Sequence, residues 1–310
     1  MKKVFIDGSA GTTGLRIADR LKERKDIILL TLPEETRKDV AARKQMLNTA
    51  DIVFLCLPDQ AAREAVELIE NENVAVIDTS TAHRTQEGWE YGFAEIGARK
   101  DKIAASKRIA NPGCHASGFV ALVAPLVEAK IIAKDALLTC YSLTGYSGGG
   151  KKMIAEYESE ENKDALQAPR TYGLTQTHKH LPEMAKYCGL EQMPVFCPIV
   201  SSYYSGMEVV VQLTKGQANA TVEQIKEVYK KYYTGKLVRF CDNADEEGFL
   251  SASAFSGFDD MQISVFGNDE RITLVARFDN LGKGASGAAI QNMNILLGTQ
   301  EWEGLNLSEE

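Results

Sequence analysis

The sequence predicts an α/β domain with a parallel sheet, followed by an α+β domain with a mainly antiparallel sheet. Two observations predict the first domain. Apolar strands alternate with amphipathic helices up to about residue 110, and a glycine-rich turn follows the first strand. A third observation predicts the second domain: residues 262–266 and 272–278 alternate in polarity on either side of a turn signal.

The bulk composition excludes several classes of protein. The 310 residues are enough for two domains, and 44% hydrophobic and 25% charged residues are ordinary globular values. A net charge of -8 without a basic tract argues against a nucleic-acid partner. No run of 18 apolar residues is present, so we expect no membrane partner. The first residues read as a strand and turn, not as a signal peptide.

Cysteine spacing bears on metal binding and location. The six cysteines are widely separated, and none belongs to a CxxC pair. We therefore expect no metal site and no disulfide framework. Reduced thiols of this kind are typical of a cytoplasmic protein.

A glycine-rich turn follows the first predicted strand, Val4–Asp7, and precedes a predicted helix from Leu15 to Lys25. Glycines let the backbone approach a pyrophosphate, which then lies at the helix N-terminus. The order of strand, glycine loop and helix favours a dinucleotide-binding Rossmann domain, although an ordinary tight turn is the alternative. The turn contains Gly8, Gly11, Thr12, Thr13 and Gly14.

The segment after the second predicted strand, residues 27–32, bears on the choice of dinucleotide. Glu34 favours NAD because an acidic group can bind the ribose 2′-hydroxyl. Arg37 and Lys38 favour NADP because they can hold a 2′-phosphate. All three also suit a solvated loop, so these residues leave the choice open.

Further strands at residues 51–57 and 74–78, with a helix at 59–70 between them, extend the parallel sheet. A polar cluster, residues 78–84, follows the last of these strands, where ligands of such sheets bind. Arg84 can clamp a carboxylate or phosphate there, and a structural salt bridge is the alternative.

The stretch Asn111-Pro112-Gly113-Cys114 places a cysteine directly after a tight turn and before an apolar helix. A thiol at a helix N-terminus has a lowered pKa, and nearby N–H groups can hold an oxyanion. The alternative is a buried structural cysteine.

Two of the four histidines, His178 and His180, lie two residues apart before a predicted helix. Pro182 and Glu183 suit its first turn. A neutral ring at a helix N-terminus can act as a base, whereas two surface histidines are the alternative. Upstream, a glycine-rich loop at 145–150 is followed by Lys151, which can bind an anion.

These motifs occur in one order along the chain: NPGC at 111–114, GYSGGGK at 145–151, HKHLPE at 178–183 and DNLGKG at 279–284. In that order they resemble N-acetyl-γ-glutamyl-phosphate reductase of arginine biosynthesis, in its shorter bacterial form. The resemblance runs from Gly8 to the last helix. His115 departs from it, since the family usually has tyrosine after NPGC, and it places a third ring near the thiol.

The resemblance implies roles for single residues. Cys114 matches the nucleophile, and His178 and His180 match a histidine pair of which one is the acid/base, with His178 preferred. Glu183 matches a residue that contacts substrate or orients the histidines. Asn280 matches the asparagine that holds the nicotinamide carboxamide. Candidates for the carboxylate or phosphate of the substrate are Arg84, Lys151 and Arg170, and those for the cofactor are Gly8, Gly11, Thr12, Thr13, Gly14 and Arg37.

The resemblance also implies an organisation and a reaction. Residues 1–113 and 284–310 form an NADP-binding Rossmann domain, and residues 114–283 form a catalytic and oligomerisation domain of the glyceraldehyde-3-phosphate dehydrogenase type. The cofactor is NADP, the substrate is a small acyl phosphate or semialdehyde with phosphate, and the protein is a homodimer or homotetramer. Two alternatives remain: an aspartate-semialdehyde dehydrogenase with the same chemistry, and a non-catalytic sensor of NADPH with Cys114 as a redox switch.

Overall fold

The computed structural model describes residues 1–309, with the side chains of all except Asn162 and Lys163. The chain divides into two compact units. The first unit comprises Met1–Pro112 and Ala285–Leu305, and the second comprises Gly113–Gly284 and the segment from Asn306 onwards. Within the described residues, we find no helix with the length and apolarity that crossing a membrane requires.

The first unit contains a sheet whose neighbouring strands all pair in parallel, in the order β2-β1-β3-β4-β6-β5. The strand order changes direction at β1, which lies between β2 and β3, and ligands of such sheets bind beyond the strand ends at this point. The strands are β1 (Lys2–Asp7), β2 (Ile27–Leu30), β3 (Ile52–Leu55), β4 (Ala75–Asp78), β5 (Glu90–Tyr91) and β6 (Arg108–Ala110).

Helices cover both faces of this sheet because side chains alternate along each strand. Val4 and Ile6 of β1 belong to a core shared with α1 (Thr12–Leu21), α4 (Arg99–Ala105) and the last helix, α10 (Gly287–Leu297). Phe5, between them, belongs to the core on the other face, with α2 (Val40–Thr49) and α3 (Asp59–Glu67). The predicted Rossmann architecture is confirmed.

The second unit contains a mixed sheet in the order β11-β12-β13-β10-β7-β9-β8. Among the described strands, β11–β12 and β7–β9 pair in parallel and the other neighbours are antiparallel. The predicted mainly antiparallel sheet is therefore confirmed. Its strands are β7 (Thr139–Gly145), β8 (Arg170–Thr171), β9 (Val195–Ser201), β10 (Met207–Thr214), β11 (Val238–Phe240), β12 (Met261–Asn268) and β13 (Arg271–Phe278).

One helix of the second unit, α5 (Cys114–Glu128), is buried from His115 to Val127. It lies close to β10, since a Cβ added to Gly118 would come within 2.5 Å of Val209 Cγ2. Pro125 has no N–H, so the carbonyl of Ala121 lacks its usual helical donor. The hydroxyl of Tyr233, which follows helix α9 (Val222–Tyr232), donates to that carbonyl at 2.6 Å. These contacts fix the axis of α5.

The observed elements differ from the predicted ones in several places. Helix α1 begins at Thr12, three residues before the predicted start. Helix α6 (Gly150–Glu158) begins inside the predicted glycine-rich loop, and helix α7 (Lys163–Leu166) follows it. The segment from Asn306 is grouped with the second unit, whereas we expected it in the first. There the backbone N–H groups of Asn306 and Ser308 donate to the carboxylates of Asp259 and Asp260.

Candidate active site

Cys114 is the first residue of α5, and Gly113 is its N-cap. The N–H of Ser117 donates to the Gly113 carbonyl at 2.8 Å, so the N–H groups of residues 114–116 precede the first hydrogen bond within the helix. A Cβ added to Gly284 would lie 2.9 Å from the Cβ of Cys114, so a larger residue would displace the cysteine. The half-buried thiol therefore lies at the positive end of the helix dipole.

Three of the other cysteines have surroundings unsuited to a nucleophile. Burial raises the pKa of Cys56 to about 12, and it also raises the pKa values of Cys140 and Cys188. A buried thiol without a nearby cation stays protonated and unreactive. Cys114 differs from these three in its position at a helix N-terminus.

Glu183 connects the nucleophile turn to the histidine pair. It lies in the first turn of α8 (Leu181–Cys188) and is only 1% exposed. One carboxylate oxygen, Oε2, accepts the Gly113 N–H at 3.1 Å. The other, Oε1, lies 4.0 Å from Nε2 of His180. Glu183 therefore lies between the Gly113 turn and His180.

The two predicted histidines lie together, with ring centroids 4.7 Å apart and planes at 82°. His178 is half-buried, and its Nδ1 accepts the backbone N–H of His180 at 3.3 Å. Because Nδ1 is an acceptor, the neutral His178 ring carries its proton on Nε2. His180 is 5% exposed and is the N-cap of α8. Of the two rings, His180 is the one that lies 4.0 Å from the Glu183 carboxylate.

His115, the residue after the nucleophile, is a third ring in the same cluster. Its centroid is 5.7 Å from that of His178 and 5.5 Å from that of His180. Its Nδ1 is 2.7 Å from Ser142 Oγ, and its Nε2 is 2.6 Å from Tyr172 Oη. Burial, with a smaller effect of charge on His178, lowers the pKa of His115 to about 3. His115 is therefore neutral at physiological pH.

Asn280 is buried at the end of the segment after β13. Its side-chain amide donates to Ser147 Oγ at 3.0 Å, and its side-chain carbonyl accepts the Gly206 N–H at 3.0 Å. Both ends of the amide thus hold the glycine-rich turn at 146–149 against the loop before β10. Each end of an asparagine amide has a second hydrogen-bonding position, so these two hydrogen bonds leave room for a nicotinamide carboxamide.

The three predicted anion-binding cations have different surroundings. Arg84 is buried in the first unit and donates to the backbone carbonyls of Asn111 and Thr79, which favours a structural role. Arg170 donates to Tyr157 Oη at 3.0 Å and lies 3.4 Å from a Glu156 carboxylate oxygen. Lys151 is exposed in the first turn of α6.

A pocket of about 560 Å³ lies at the end of β1 in the first unit. Gly8 and Gly11 of the predicted loop line it, and Thr12 and Thr13 begin α1 directly after them. Gly8 has a φ of +88°, and a Cβ there would lie 2.3 Å from the Cys56 carbonyl oxygen. A Cβ on Gly14 would lie 2.5 Å from the Gly8 carbonyl oxygen. The loop therefore requires glycine at both positions, as a cradle for a dinucleotide phosphate does.

Cationic side chains also line this pocket. Arg37 and Lys38 line it, and Arg37 is 3.1 Å from a carboxylate oxygen of Glu34. That pair is largely exposed, so it is weak and leaves Arg37 able to contact a phosphate. Arg43 also lines the pocket and forms a two-nitrogen contact with Asp7 at the end of β1. The lining fits a dinucleotide with an additional phosphate on its ribose.

Four residues of these sites were not predicted from the sequence: Ser142, Tyr172, Gly284 and Arg43. Ser142 and Tyr172 contact His115 because β7 and the residues after β8 lie beside α5. No local sequence motif predicts that these segments pack together. Gly284 lies in the DNLGKG motif, so its motif was identified but its contact with Cys114 was not. Across residues 1–309, no group of three or more His, Cys, Asp or Glu side chains is arranged to hold a metal ion.

Comparison with protein families identifies both units. Residues 3–105 match the semialdehyde dehydrogenase NAD binding domain. Residues 114–280 match the semialdehyde dehydrogenase dimerisation domain. The fold and the thiol site thus define the class, which is that of the semialdehyde dehydrogenases.

Individual relatives narrow this class. The chain is 45% identical over 305 residues to N-acetyl-gamma-glutamyl-phosphate reductase of Rhizobium etli, covering 95% of this chain and 98% of that protein. It is 44% identical over 318 residues to N-acetyl-gamma-glutamyl-phosphate reductase 2 of Nostoc sp., covering 98% and 99%. The chain belongs to the N-acetyl-γ-glutamyl-phosphate reductase family.

Solved structures resemble the chain in fold. Aspartate semialdehyde dehydrogenase II of Vibrio cholerae has a TM-score of 0.73 and 17% identity, covering 96% of this chain and 98% of that one. Aspartate semialdehyde dehydrogenase of Candida albicans has a TM-score of 0.67 and 18% identity, with the same coverage. At these identities the likeness establishes the shared fold alone.

Proposed function

We propose that this protein uses NADPH to reduce N-acetyl-γ-glutamyl phosphate to N-acetylglutamate semialdehyde and phosphate, a step of arginine biosynthesis. The arrangement that carries the proposal is Cys114 at the N-terminus of α5, with buried Glu183 between that N-terminus and His180. The reductases of Rhizobium etli and Nostoc sp., at 45% and 44% identity, support the choice of substrate.

Residues of the second unit account for acyl transfer. The Cys114 thiolate attacks the carbonyl carbon of the acyl phosphate, forming a C–S bond. The C–O bond to phosphate then breaks, and phosphate leaves with the electron pair, so a thioester remains on Cys114. N–H groups at 114–116 can donate to the carbonyl oxygen as negative charge develops there. One well-placed donor of this kind contributes about 3 kcal/mol.

We assign the acid/base role to His180, although the family resemblance alone led us to prefer His178. A ring that accepts a proton becomes a cation, and the Glu183 carboxylate, 4.0 Å from His180 Nε2, stabilises that cation. Protonation of His178 on Nδ1 would break its hydrogen bond from the His180 N–H. His178 then serves as an Nε2–H donor to the substrate oxygen.

The cofactor fits the first unit. Gly8 and Gly11, with the N-terminus of α1 at Thr12 and Thr13, would hold the pyrophosphate. Arg37 and Lys38 would hold the 2′-phosphate that distinguishes NADP from NAD. When bound, the reduced nicotinamide supplies the hydride that the thioester accepts. The C–S bond then breaks with its electron pair on sulfur, the aldehyde leaves, and a proton from His180 restores the Cys114 thiol.

The remaining assignments are proposals of the same kind. Lys151 and Arg170 are candidates for the substrate carboxylate or phosphate, and Arg84 is retained with less support because its guanidinium holds backbone carbonyls. The match of residues 114–280 to a dimerisation domain supports a homo-oligomer, which we propose to be a dimer or tetramer. We also propose a cytoplasmic location for this biosynthetic reaction.

The reaction is tested in reverse. Wild-type protein is mixed with N-acetylglutamate semialdehyde, phosphate and NADP, and NADPH formation is followed by absorbance. We expect phosphate-dependent NADPH formation that is faster with NADP than with NAD, and none with Cys114→Ser, because serine is a far weaker nucleophile at neutral pH.

Two other results would contradict the proposal. Turnover with aspartate semialdehyde but not with the N-acetylglutamate aldehyde would assign the protein to the aspartate-semialdehyde dehydrogenases. No turnover with either aldehyde, in a folded protein that binds NADPH, would favour the sensor.

A further inference from the structure

His115 connects elements that the proposed reaction does not otherwise link. It follows Cys114 on α5, and it contacts Ser142 on β7, Tyr172 after β8 and Phe196 on β9. The ring is 2% exposed, and both of its nitrogens make short hydrogen bonds. A histidine buried only for packing would not need a hydroxyl partner on each ring nitrogen. The arrangement indicates a chain of hydrogen bonds through Ser142, His115 and Tyr172, which we call the relay.

Tyr172 is the hydroxyl partner of His115 Nε2, at 2.6 Å, and His115 follows Cys114 directly on α5. Burial raises the pKa of Tyr172, and negative charge on Cys114 adds to the rise. Tyr172 therefore keeps its proton at neutral pH and can act as a donor. Its ring also lies 5.9 Å from that of His178.

The titratable groups around His115 are Cys114 on its own helix, Tyr172, His178, and His180 with Glu183 on α8. A charged His115 would repel a protonated histidine in this cluster. As a neutral ring it has one donor and one acceptor nitrogen. If Ser142 donates to Nδ1, then Nε2–H donates to the Tyr172 oxygen. The Tyr172 hydroxyl hydrogen can then be donated to another acceptor, such as the Cys114 sulfur.

We propose that His115 is a positioning residue, which, held by Ser142, orients the Tyr172 hydroxyl so that it donates a hydrogen bond to the Cys114 thiolate. This proposal deepens the function proposed above and rests on Cys114 being its nucleophile. A donor to the thiolate stabilises the charged form and increases the reactive fraction of the thiol at neutral pH.

The test is a double-mutant cycle with His115→Leu, Tyr172→Phe and the double variant. The readout is the pH dependence of Cys114 alkylation by iodoacetamide, which needs no substrate and is located by peptide mass spectrometry. We expect each single variant to raise the alkylation midpoint by about one pH unit, since a hydrogen bond to a charged group is lost. The double variant should show the same shift as the single variants, because both remove one relay.

Kinetics of the full enzyme give the second readout. In both single variants we expect kcat to fall by roughly tenfold or more while KM changes little, since the loss is one of positioning. His115→Gln keeps an amide that can reach Tyr172, and we expect it to recover part of both losses.

Tyr229→Phe is the matched control, since it also removes a buried tyrosine hydroxyl, one that donates to the Leu122 carbonyl of α5. It should lower the thermal midpoint without moving the alkylation midpoint. Unchanged alkylation in either single variant, or shifts that add in the double variant, would overturn the proposal. If His115→Leu does not fold, an unchanged midpoint in Tyr172→Phe suffices to overturn it. If the wild type alkylates as expected but turns over neither aldehyde, the proposed function fails and the relay stands.

Discussion

At the level of the single residue, the two carboxylate oxygens of Glu183 make contacts of different kinds. One carboxylate oxygen accepts the Gly113 N–H at the cap of α5, and the other lies near His180. The first contact is a hydrogen bond that an amide can also accept, whereas the second requires charge. Substitutions can therefore separate positioning of the nucleophile from stabilisation of the imidazolium.

We expect Glu183→Gln to keep the Gly113 hydrogen bond and to lose the charge beside His180. Loss of that charge makes imidazolium less favourable, so the lower apparent pKa of the kcat/KM profile should move to lower pH, and kcat should fall by roughly 10²-fold. Glu183→Ala also loses the Gly113 contact, so it should show a larger fall in kcat than Glu183→Gln and a drop in the free energy of unfolding of about 2 kcal/mol. A Gln variant with wild-type kcat and an unmoved pH profile would contradict this role.

The residues to which we assign chemical roles could be selected from the sequence where a motif contains them. Cys114, the histidine pair and Glu183 stand in contiguous motifs, and the structure places Glu183 next to both the Cys114 turn and His180. Ser142 and Tyr172 were not predictable, because their role depends on which strands lie beside α5, and that pairing joins positions 27 and 57 residues from His115. The preference for His178 stays a prediction of the family resemblance, and our proposal of His180 instead rests on its contact with Glu183.

At the level of the element, the glycine loop leads directly into α1, because Gly11 is the N-cap of that helix. Gly8 requires a positive φ, and its missing side chain lets β1 and the residue after β3 approach. Gly11 has ordinary backbone angles as the N-cap of α1 and borders the pocket. The two glycines therefore differ in what a methyl group would disturb.

We expect Gly8→Ala to be destabilised by about 2 kcal/mol or more, because the new Cβ would lie 2.3 Å from the Cys56 carbonyl oxygen at a strained φ. Gly11→Ala should keep its stability, since its Cβ would be 3.4 Å from the Gly8 carbonyl oxygen, but should bind NADPH more weakly because it borders the pocket. Chemical denaturation and NADPH titration measure both. Gly216→Ala, with open space around it, is the control. Equal stability of the Gly8 and Gly216 variants would contradict this account.

Elements with a clear apolar period were predicted from the sequence, and others were not. Helix α9 shows such a period in its sequence, because Ile225 and Tyr229 form its buried stripe. Helix α2 was missed because Leu47 is its one buried residue, so it carries almost no periodic signal. Its start is set instead by Asp39, whose carboxylate accepts the Ala42 N–H at 2.7 Å.

At the level of the whole molecule, the chemistry is divided between the two units. Cys114, His178, His180 and Glu183 all belong to the second unit, and the glycine loop with its pocket belongs to the first. In the proposed reaction, acyl transfer to the thiol uses only groups of the second unit. The account therefore predicts that the thioester forms without any cofactor, and that reduction is a separate step.

The most direct test is the intact mass of the protein after mixing with N-acetyl-γ-glutamyl phosphate in the absence of NADPH. The account predicts a mass increase of one acyl group per chain, located on Cys114 by peptide mapping, together with stoichiometric release of phosphate. The adduct should disappear when NADPH is added and should be absent from Cys114→Ala. A wild-type protein that turns over with NADPH but carries no adduct, or an adduct that persists in Cys114→Ala, would contradict the thioester route.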